Sequence, residues 1–246
     1  VTDYGFYIDQ IANGTSNTTM NWSDCRVADG WDFVNTDNDP KDDQGHGTHV
    51  AGIVASNDST YRGVAPAAKI VAMKVLDSSG NGYFSDVNAA MDWCVSKRNS
   101  LNISVISLSL GTSSFHSSTV CDASYPSTAT AINNAVGVGI PVFIASGNEG
   151  ETNGLSSPSC IANATSVGSV STSDAVVGSS NSAAILDLLA PGSSITSTES
   201  SVGSTCGAPG GAFGNCGGTS MATPHAAGAA ALLFQYWRLA YNQNIT

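Results

Sequence analysis

Basic residues are scarce in this chain: eight Lys and Arg stand against 19 Asp and Glu, giving a net charge of −11. A protein that binds nucleic acid needs a basic surface to meet the phosphates, so the sequence argues against nucleic acid as a partner. Long apolar runs are also missing, and no stretch approaches the length of a membrane-spanning helix. We therefore expect neither nucleic acid nor a membrane among the partners.

The six cysteines include no Cys-x-x-Cys pair, which excludes zinc-ribbon and thioredoxin-like sites. An even number of separated cysteines favours disulfides, which persist outside the cell, and we expect a secreted protein. The spacing alone leaves the pairing open. The cysteines are Cys25, Cys94, Cys121, Cys160, Cys206 and Cys216.

Apolar, β-branched runs without clean alternation recur along the chain, which is typical of strands buried on both faces. These runs cover residues 69–76, 105–111, 141–147 and 186–192. Helical spacing of apolar residues lies between and after them, at 87–95, 128–138 and 222–237. Strands that alternate with helices predict an α/β fold with a mostly parallel β-sheet and helices on both faces.

Two of the four histidines, His46 and His49, lie three residues apart in "DDQGHGTHVAG" (42–52). Zinc is disfavoured, because a helical zinc-binding pair has a spacing of four and an intervening glutamate. Two interpretations remain: both histidines pack a helix of small residues, or one is a catalytic base.

A catalytic base needs a nucleophile, and Ser220 in "GGTSMATPHAAG" (217–228) is the candidate. A serine at the start of a helix gains from the positive end of the helix dipole, although an ordinary N-cap serine has the same position. No Asp or Glu follows Ser220, which excludes the order Ser-acid-His of α/β-hydrolases. The α/β pattern contradicts the β-barrels of chymotrypsin, so the order Asp-His-Ser remains.

Five motifs together resemble the subtilisin-like serine peptidases, or subtilases, in order and in approximate spacing. They are "HGTHVAG" (46–52), "SLG" (109–111), "ASGNEG" (145–150), "LAPG" (189–192) and "GTSMATPHAAG" (218–228). The resemblance implies a three-layer subtilisin-like fold and a serine endopeptidase that forms an acyl-enzyme. Residues 1–246 would be a single catalytic domain, shortened at both ends. The alternative is a weakened or inactive homologue that acts as a peptide-binding module.

The catalytic roles follow from these motifs. His46 matches the base, and His49 its structural neighbour. Ser220 matches the nucleophile, and Asn148 the side-chain donor of an oxyanion hole whose second donor is the Ser220 N–H. The resemblance implies no cofactor for the chemistry.

The acid is the weakest match, because the family pattern is Asp followed by Ser or Thr and then Gly. Asp3 in "VTDYG" has its glycine but carries Tyr4 between. Asp9 lacks the following glycine. We therefore predict Asp3 as the acid.

The substrate is expected to lie as an added strand between two edges of the protein. The resemblance places one edge at Gly80, Asn81, Gly82, Tyr83 and Phe84, and the other at Ser109, Leu110 and Gly111. The S1 pocket would lie between the second edge and Ala145, Ser146 and Gly147, with Glu149 near its rim. Small residues on both walls predict broad cleavage with bulky apolar P1 side chains preferred, and Glu149 would also admit Lys or Arg.

Three further expectations concern ions, disulfides and partners. Carboxylates at Asp32, Asp37 and Asp39, before the catalytic histidine, are similar to a calcium loop of some subtilases, and a solvated acidic loop is the alternative. We predict Cys206–Cys216 and Cys121–Cys160, and assign Cys25–Cys94 by elimination. A monomer is expected, with polypeptide substrates and a propeptide or protein inhibitor as candidate partners.

Overall fold

The computed structural model describes residues 26–113, 115–200, 206 and 212–241. Three residues named in the predictions, Asp3, Asp9 and Cys25, lie outside the described residues.

The described chain forms ten strands and four helices. The strands are β1 (Val27–Asp32), β2 (Ile70–Lys74), β3 (Ile106–Leu108), β4 (His116–Ser117), β5 (Val142–Ala145), β6 (Leu155–Ser156), β7 (Thr165–Val170), β8 (Leu188–Pro191), β9 (Ile195–Thr198) and β10 (Phe213–Cys216). The helices are α1 (His46–Ala55), α2 (Phe84–Leu101), α3 (Pro126–Gly137) and α4 (Thr219–Tyr241).

The largest sheet has four parallel strands in the order β3-β5-β7-β8. Its side chains alternate between two cores, as strand geometry requires. Val142 and Ile144 of β5 join a core that contains residues of α2 and α3. Phe143, between them, packs with Ala222 and Ala227 of α4 on the opposite face. The predicted α/β class is therefore confirmed, with helices on both faces of the sheet.

Each of the four predicted apolar runs contains a parallel strand, namely β2, β3, β5 or β8. The buried strand β7 was missed, because its sequence "TSVGSV" is too rich in Ser and Gly to read as an apolar run. β1 pairs with β2 in a separate two-stranded parallel sheet. Two antiparallel pairs complete the described strands, β4 with β6 and β9 with β10.

Helix α1 is enclosed by α4 and by β9, and its residues from Gly47 to Ala55 are all buried. Gly52 shows how closely α1 approaches β9. A Cβ atom at this position would overlap the hydroxyl oxygens of Ser197 and Thr198. The small residues of α1 are therefore needed for this packing, whatever their neighbours do chemically.

Two of the three predicted disulfides are confirmed, Cys121–Cys160 and Cys206–Cys216. The predicted Cys25–Cys94 bond is wrong, because Cys94 carries a free thiol. This side chain is buried in the core between α2 and the sheet, and burial raises the pKa of its thiol to about 11. Pairing by elimination failed because a buried cysteine is stable as a small apolar residue.

Within the described residues, no helix combines the length and the apolar character that a membrane span requires.

Candidate active site

His46 is the first residue of α1, and Asp42 fixes the chain that leads into it. Asp42 Oδ1 accepts hydrogen bonds from the N–H groups of Gly45 (2.7 Å) and Gln44 (3.0 Å). Its Oδ2 accepts them from the Thr48 N–H (2.9 Å) and hydroxyl (2.6 Å). Burial raises the pKa of Asp42, although these bonds oppose the rise. No role was predicted for Asp42 from the sequence.

His49 lies one turn further along α1 and is fully buried. Its Nε2 lies 3.1 Å from the Gly214 carbonyl oxygen, and burial lowers the pKa of the imidazole to about 4. His49 is therefore neutral near pH 7. The Cys206 and Cys216 sulfurs are close to it, but they are joined to each other. These contacts support the interpretation of His49 as a packing neighbour.

Ser220 is the second residue of α4 and remains partly exposed. The Ser109 hydroxyl donates to the Ser220 carbonyl oxygen at 2.8 Å, and Ser220 Oγ lies 3.5 Å from the Ser109 carbonyl oxygen. The positive end of the α4 dipole favours negative charge at this hydroxyl. The structure thus places the predicted nucleophile against the predicted edge 109–111.

Asn148 is held in one orientation by the residue that precedes Ser220. Its Oδ1 accepts hydrogen bonds from the Thr219 N–H (2.8 Å) and hydroxyl (3.1 Å). The Asn148 amide N–H groups have no partner among the described residues. Before Asn148, Gly147 has φ +109°, and a Cβ atom there would overlap the side chains of Asn181 and Ser156. Asn148 is therefore presented by a tightly packed loop, as an oxyanion donor requires.

A cavity of about 370 Å³ separates the two predicted substrate edges. Both edges contribute to it in full, together with His46. The lining residues are Gln44, His46, Leu76, Gly80–Phe84, Val87 and Ser109–Thr112.

The segment Ala145–Gly147 was predicted to form the far wall of the S1 pocket. Ala145 and Ser146 are buried, and the Ser146 hydroxyl donates to the Asn181 carbonyl oxygen at 2.9 Å. Neither side chain lines the cavity described above.

Glu149, predicted near the rim of S1, accepts hydrogen bonds from several donors. Its Oε2 accepts hydrogen bonds from Asn181 Nδ2 (2.7 Å), the Asn148 N–H (3.0 Å) and the Ser156 hydroxyl (3.2 Å), and lies 3.2 Å from His116 Nε2. Partial burial raises the pKa of Glu149, but hydrogen bonds from Asn181, His116 and Ser156 outweigh it and lower the pKa overall. Sequence reasoning missed His116 and Asn181, which lie more than 30 residues away.

The three carboxylates expected to bind calcium do not form a ligand set. Both oxygens of Asp32 already accept hydrogen bonds, from the N–H groups of Val34 and Asn35 and from the Asn35 amide. Asp37 Oδ1 accepts one from the Asp39 N–H at 2.9 Å. Within the described residues, these carboxylates form no group of three within 4.8 Å. Asp32, Asp37 and Asp39 therefore do not fit a calcium ion in this arrangement.

Nearly the whole chain, from residue 3 to residue 243, matches a family model described as the Subtilase family. The chain belongs to the subtilase family. Among curated subtilases it is 39% identical over 218 residues to subtilisin E of Bacillus subtilis (strain 168), an alignment that covers 85% of this chain and 51% of that protein. It is 38% identical over 220 residues to thermitase of Thermoactinomyces vulgaris, covering 88% of this chain and 71% of that protein.

A solved subtilase structure gives the same assignment. The crystal structure of a cold-adapted subtilisin-like serine proteinase superimposes with a TM-score of 0.68 at 34% identity, covering 89% of this chain and 72% of that one. The chain spans about half the length of several of the curated subtilases that it matches. The fold and the family are thus shown.

Proposed function

We propose that this subtilase is a serine endopeptidase that hydrolyses peptide bonds of proteins through an acyl-enzyme. The observation that carries the proposal is the position of Ser220. It lies at the positive end of α4 and contacts Ser109, which lines the same cavity as His46. A partly exposed serine in this position needs only a base to become a nucleophile.

Each step of the proposed reaction depends on particular residues. His46 accepts the Ser220 proton as Oγ attacks the carbonyl carbon, and later returns it to the leaving amine. The Asn148 amide and the Ser220 N–H donate to the oxyanion of the tetrahedral intermediate. The proposed acid, Asp3, holds the His46 tautomer and stabilises the imidazolium. The family match begins at residue 3 and so includes Asp3.

The cavity supports a polypeptide as the substrate. An extended polypeptide between Gly80–Phe84 and Ser109–Gly111 would gain main-chain hydrogen bonds on both sides, independent of its sequence. We propose broad specificity with bulky apolar P1 side chains preferred. The disulfides support a secreted enzyme, since such bonds persist in oxidising compartments. We also propose that the protein is a monomer. A propeptide or protein inhibitor would bind in the same cleft.

The test is hydrolysis of casein by wild type and by Ser220→Ala. We expect Ser220→Ala to abolish hydrolysis with an unchanged circular dichroism spectrum, and a serine-directed covalent inhibitor to do the same to wild type. Ser173→Ala, at an exposed serine in the turn after β7, is the matched control and should retain full activity.

Two outcomes contradict the proposal. Wild-type turnover by a clean Ser220→Ala preparation would exclude the serine mechanism. A folded wild type that binds extended peptides without cleaving them would instead support the peptide-binding module.

A further inference from the structure

Glu149 is bound by three fixed neutral donors and by one ionisable group. The neutral donors are the Asn181 amide, the Ser156 hydroxyl and the Asn148 N–H, and the first two belong to fully buried residues. The ionisable group is His116, whose Nε2 reaches the same carboxylate oxygen at 3.2 Å. The side chains of His116 and Glu149 keep 20% and 29% of their exposure. Protons can therefore reach this pair from solvent.

In the segment between Arg98 and Arg238, His116 is the ionisable donor that contacts Glu149. Between Arg98 and Arg238 the sequence contains no Lys or Arg, so only His116 and His225 can become cationic there. Burial lowers the pKa of His225, whose Nδ1 contacts the Met221 carbonyl oxygen. β6, which pairs with β4, carries no charged residue, and the loop before β6 carries Glu151 in addition to Glu149.

The pair lies beside the proposed S1 pocket. Glu149 directly follows Asn148, and its carboxylate contacts Ser156. The next residue, Ser157, accepts a hydrogen bond from the Thr112 N–H (2.9 Å), at the end of the substrate edge. These contacts connect the His116–Glu149 pair, through Ser156 and Ser157, to the end of the substrate edge.

We propose that His116 is a specificity-determining residue, whose protonation sets the net charge of the His116–Glu149 pair and hence the preference for basic over apolar P1 side chains. This inference rests on the proposed peptidase function. With His116 neutral, the pair carries one negative charge and attracts P1 Lys or Arg. With His116 protonated, the pair is neutral and the attraction is lost. Histidine is the side chain whose charge ordinarily changes between pH 5 and 8.

The test uses two tetrapeptide p-nitroanilides that differ only in P1, Lys or Phe. We measure the ratio of their kcat/KM values from pH 5 to pH 8. The ionisation of His46 affects both substrates alike and cancels in the ratio. In wild type we expect the Lys/Phe ratio to rise about five- to tenfold with pH, the size expected of one partly solvated charge several ångströms away.

Three variants separate this role from a purely structural one. His116→Gln keeps a neutral side-chain donor and should give a high ratio at every pH. Glu149→Gln should lower the ratio below the wild-type value at every pH, because the pair loses one negative charge. Glu151→Gln is the matched control, because it removes a nearby exposed carboxylate and should retain the pH dependence of wild type.

The outcomes distinguish the two proposals. Cleavage of the Phe substrate with a flat wild-type ratio would overturn the role of His116 and leave the peptidase function intact. An unchanged pH dependence in folded His116→Gln would do the same. Failure of wild type to cleave either peptide would overturn both proposals.

Discussion

At the scale of single residues, the acid of the triad is the assignment that depends on sequence alone. Asp3→Asn should leave the fold intact and lower kcat by roughly 10⁴-fold, because His46 would lose the carboxylate that holds its tautomer; this is the size seen for the same change in a chymotrypsin-type triad. Asp9→Asn is the matched control and should change kcat little. Steady-state kinetics on one peptide substrate decide between them. If Asp9→Asn were inactive and Asp3→Asn active, the acid of the triad would be Asp9 instead of Asp3.

A second residue-scale prediction concerns Asp32, whose carboxylate is taken up by the turn that follows β1. Asp32→Ala leaves three donors without their acceptor and should lower the free energy of unfolding by about 1–3 kcal/mol. The loss should be equal in EDTA and in millimolar calcium, as measured by urea denaturation. If instead Asp32→Ala and Asp37→Ala both removed a calcium-dependent rise in Tm, calcium would bind here after all.

These residues show which parts of the candidate site could be predicted from the sequence. His46, Ser220 and Asn148 each lie in a local motif, so their roles could be predicted without coordinates. The surroundings of Glu149 were not, because its partners His116 and Asn181 come from strands and loops that only the folded sheet brings together. The role of Asp32 was ambiguous for a related reason, since a carboxylate that accepts local N–H groups looks in sequence like one that binds a metal ion.

At the scale of elements, the start of α1 depends on a single buried carboxylate. Asp42→Ala should lower both the free energy of unfolding, by about 1–3 kcal/mol, and kcat, because four hydrogen bonds fix the chain on either side of His46. Thermal melts and peptide kinetics on the same preparation measure the two effects. Asp39→Ala, an exposed carboxylate in the same loop, is the control. Normal kcat in a destabilised Asp42→Ala variant would show that the cap stabilises α1 without positioning His46.

Elements were predicted unevenly for a physical reason. Strands β2, β3, β5 and β8 are recognisable because burial on both faces selects apolar residues over the whole run. β7 lies between β5 and β8 yet escapes recognition, because serine and glycine occupy positions where the sheet meets closely packed neighbours. The order of the strands could not be predicted, since residues that pair across the sheet are distant in sequence.

At the scale of the whole molecule, His49 makes the fold sensitive to acid. The native protein binds a proton at His49 only below about pH 4, whereas the unfolded chain binds one below about pH 6.5. Between these values the unfolded state holds more protons, so stability falls as the pH is lowered. The contribution of His49 to this loss should reach roughly 3 kcal/mol.

Urea denaturation between pH 4 and pH 7 measures this loss, in a Ser220→Ala background that prevents autolysis. His49→Gln keeps a donor for the Gly214 carbonyl oxygen and should flatten the pH dependence. An equally steep loss in His49→Gln would assign the acid sensitivity to other groups. The single catalytic domain expected for residues 1–246 remains a prediction at this scale.

The packing of α1 also has a consequence for how variation in this protein is interpreted. Because nine consecutive residues of α1 are buried, and even a methyl group at Gly52 would collide with Ser197 and Thr198, most substitutions throughout the helix should reduce the yield of folded protein. A saturation-mutagenesis map scored by secreted activity would therefore mark α1 as uniformly intolerant. Only His46 of α1 is proposed to take part in the reaction. A parallel score for the abundance of folded protein would be needed to distinguish His46 from its structural neighbours.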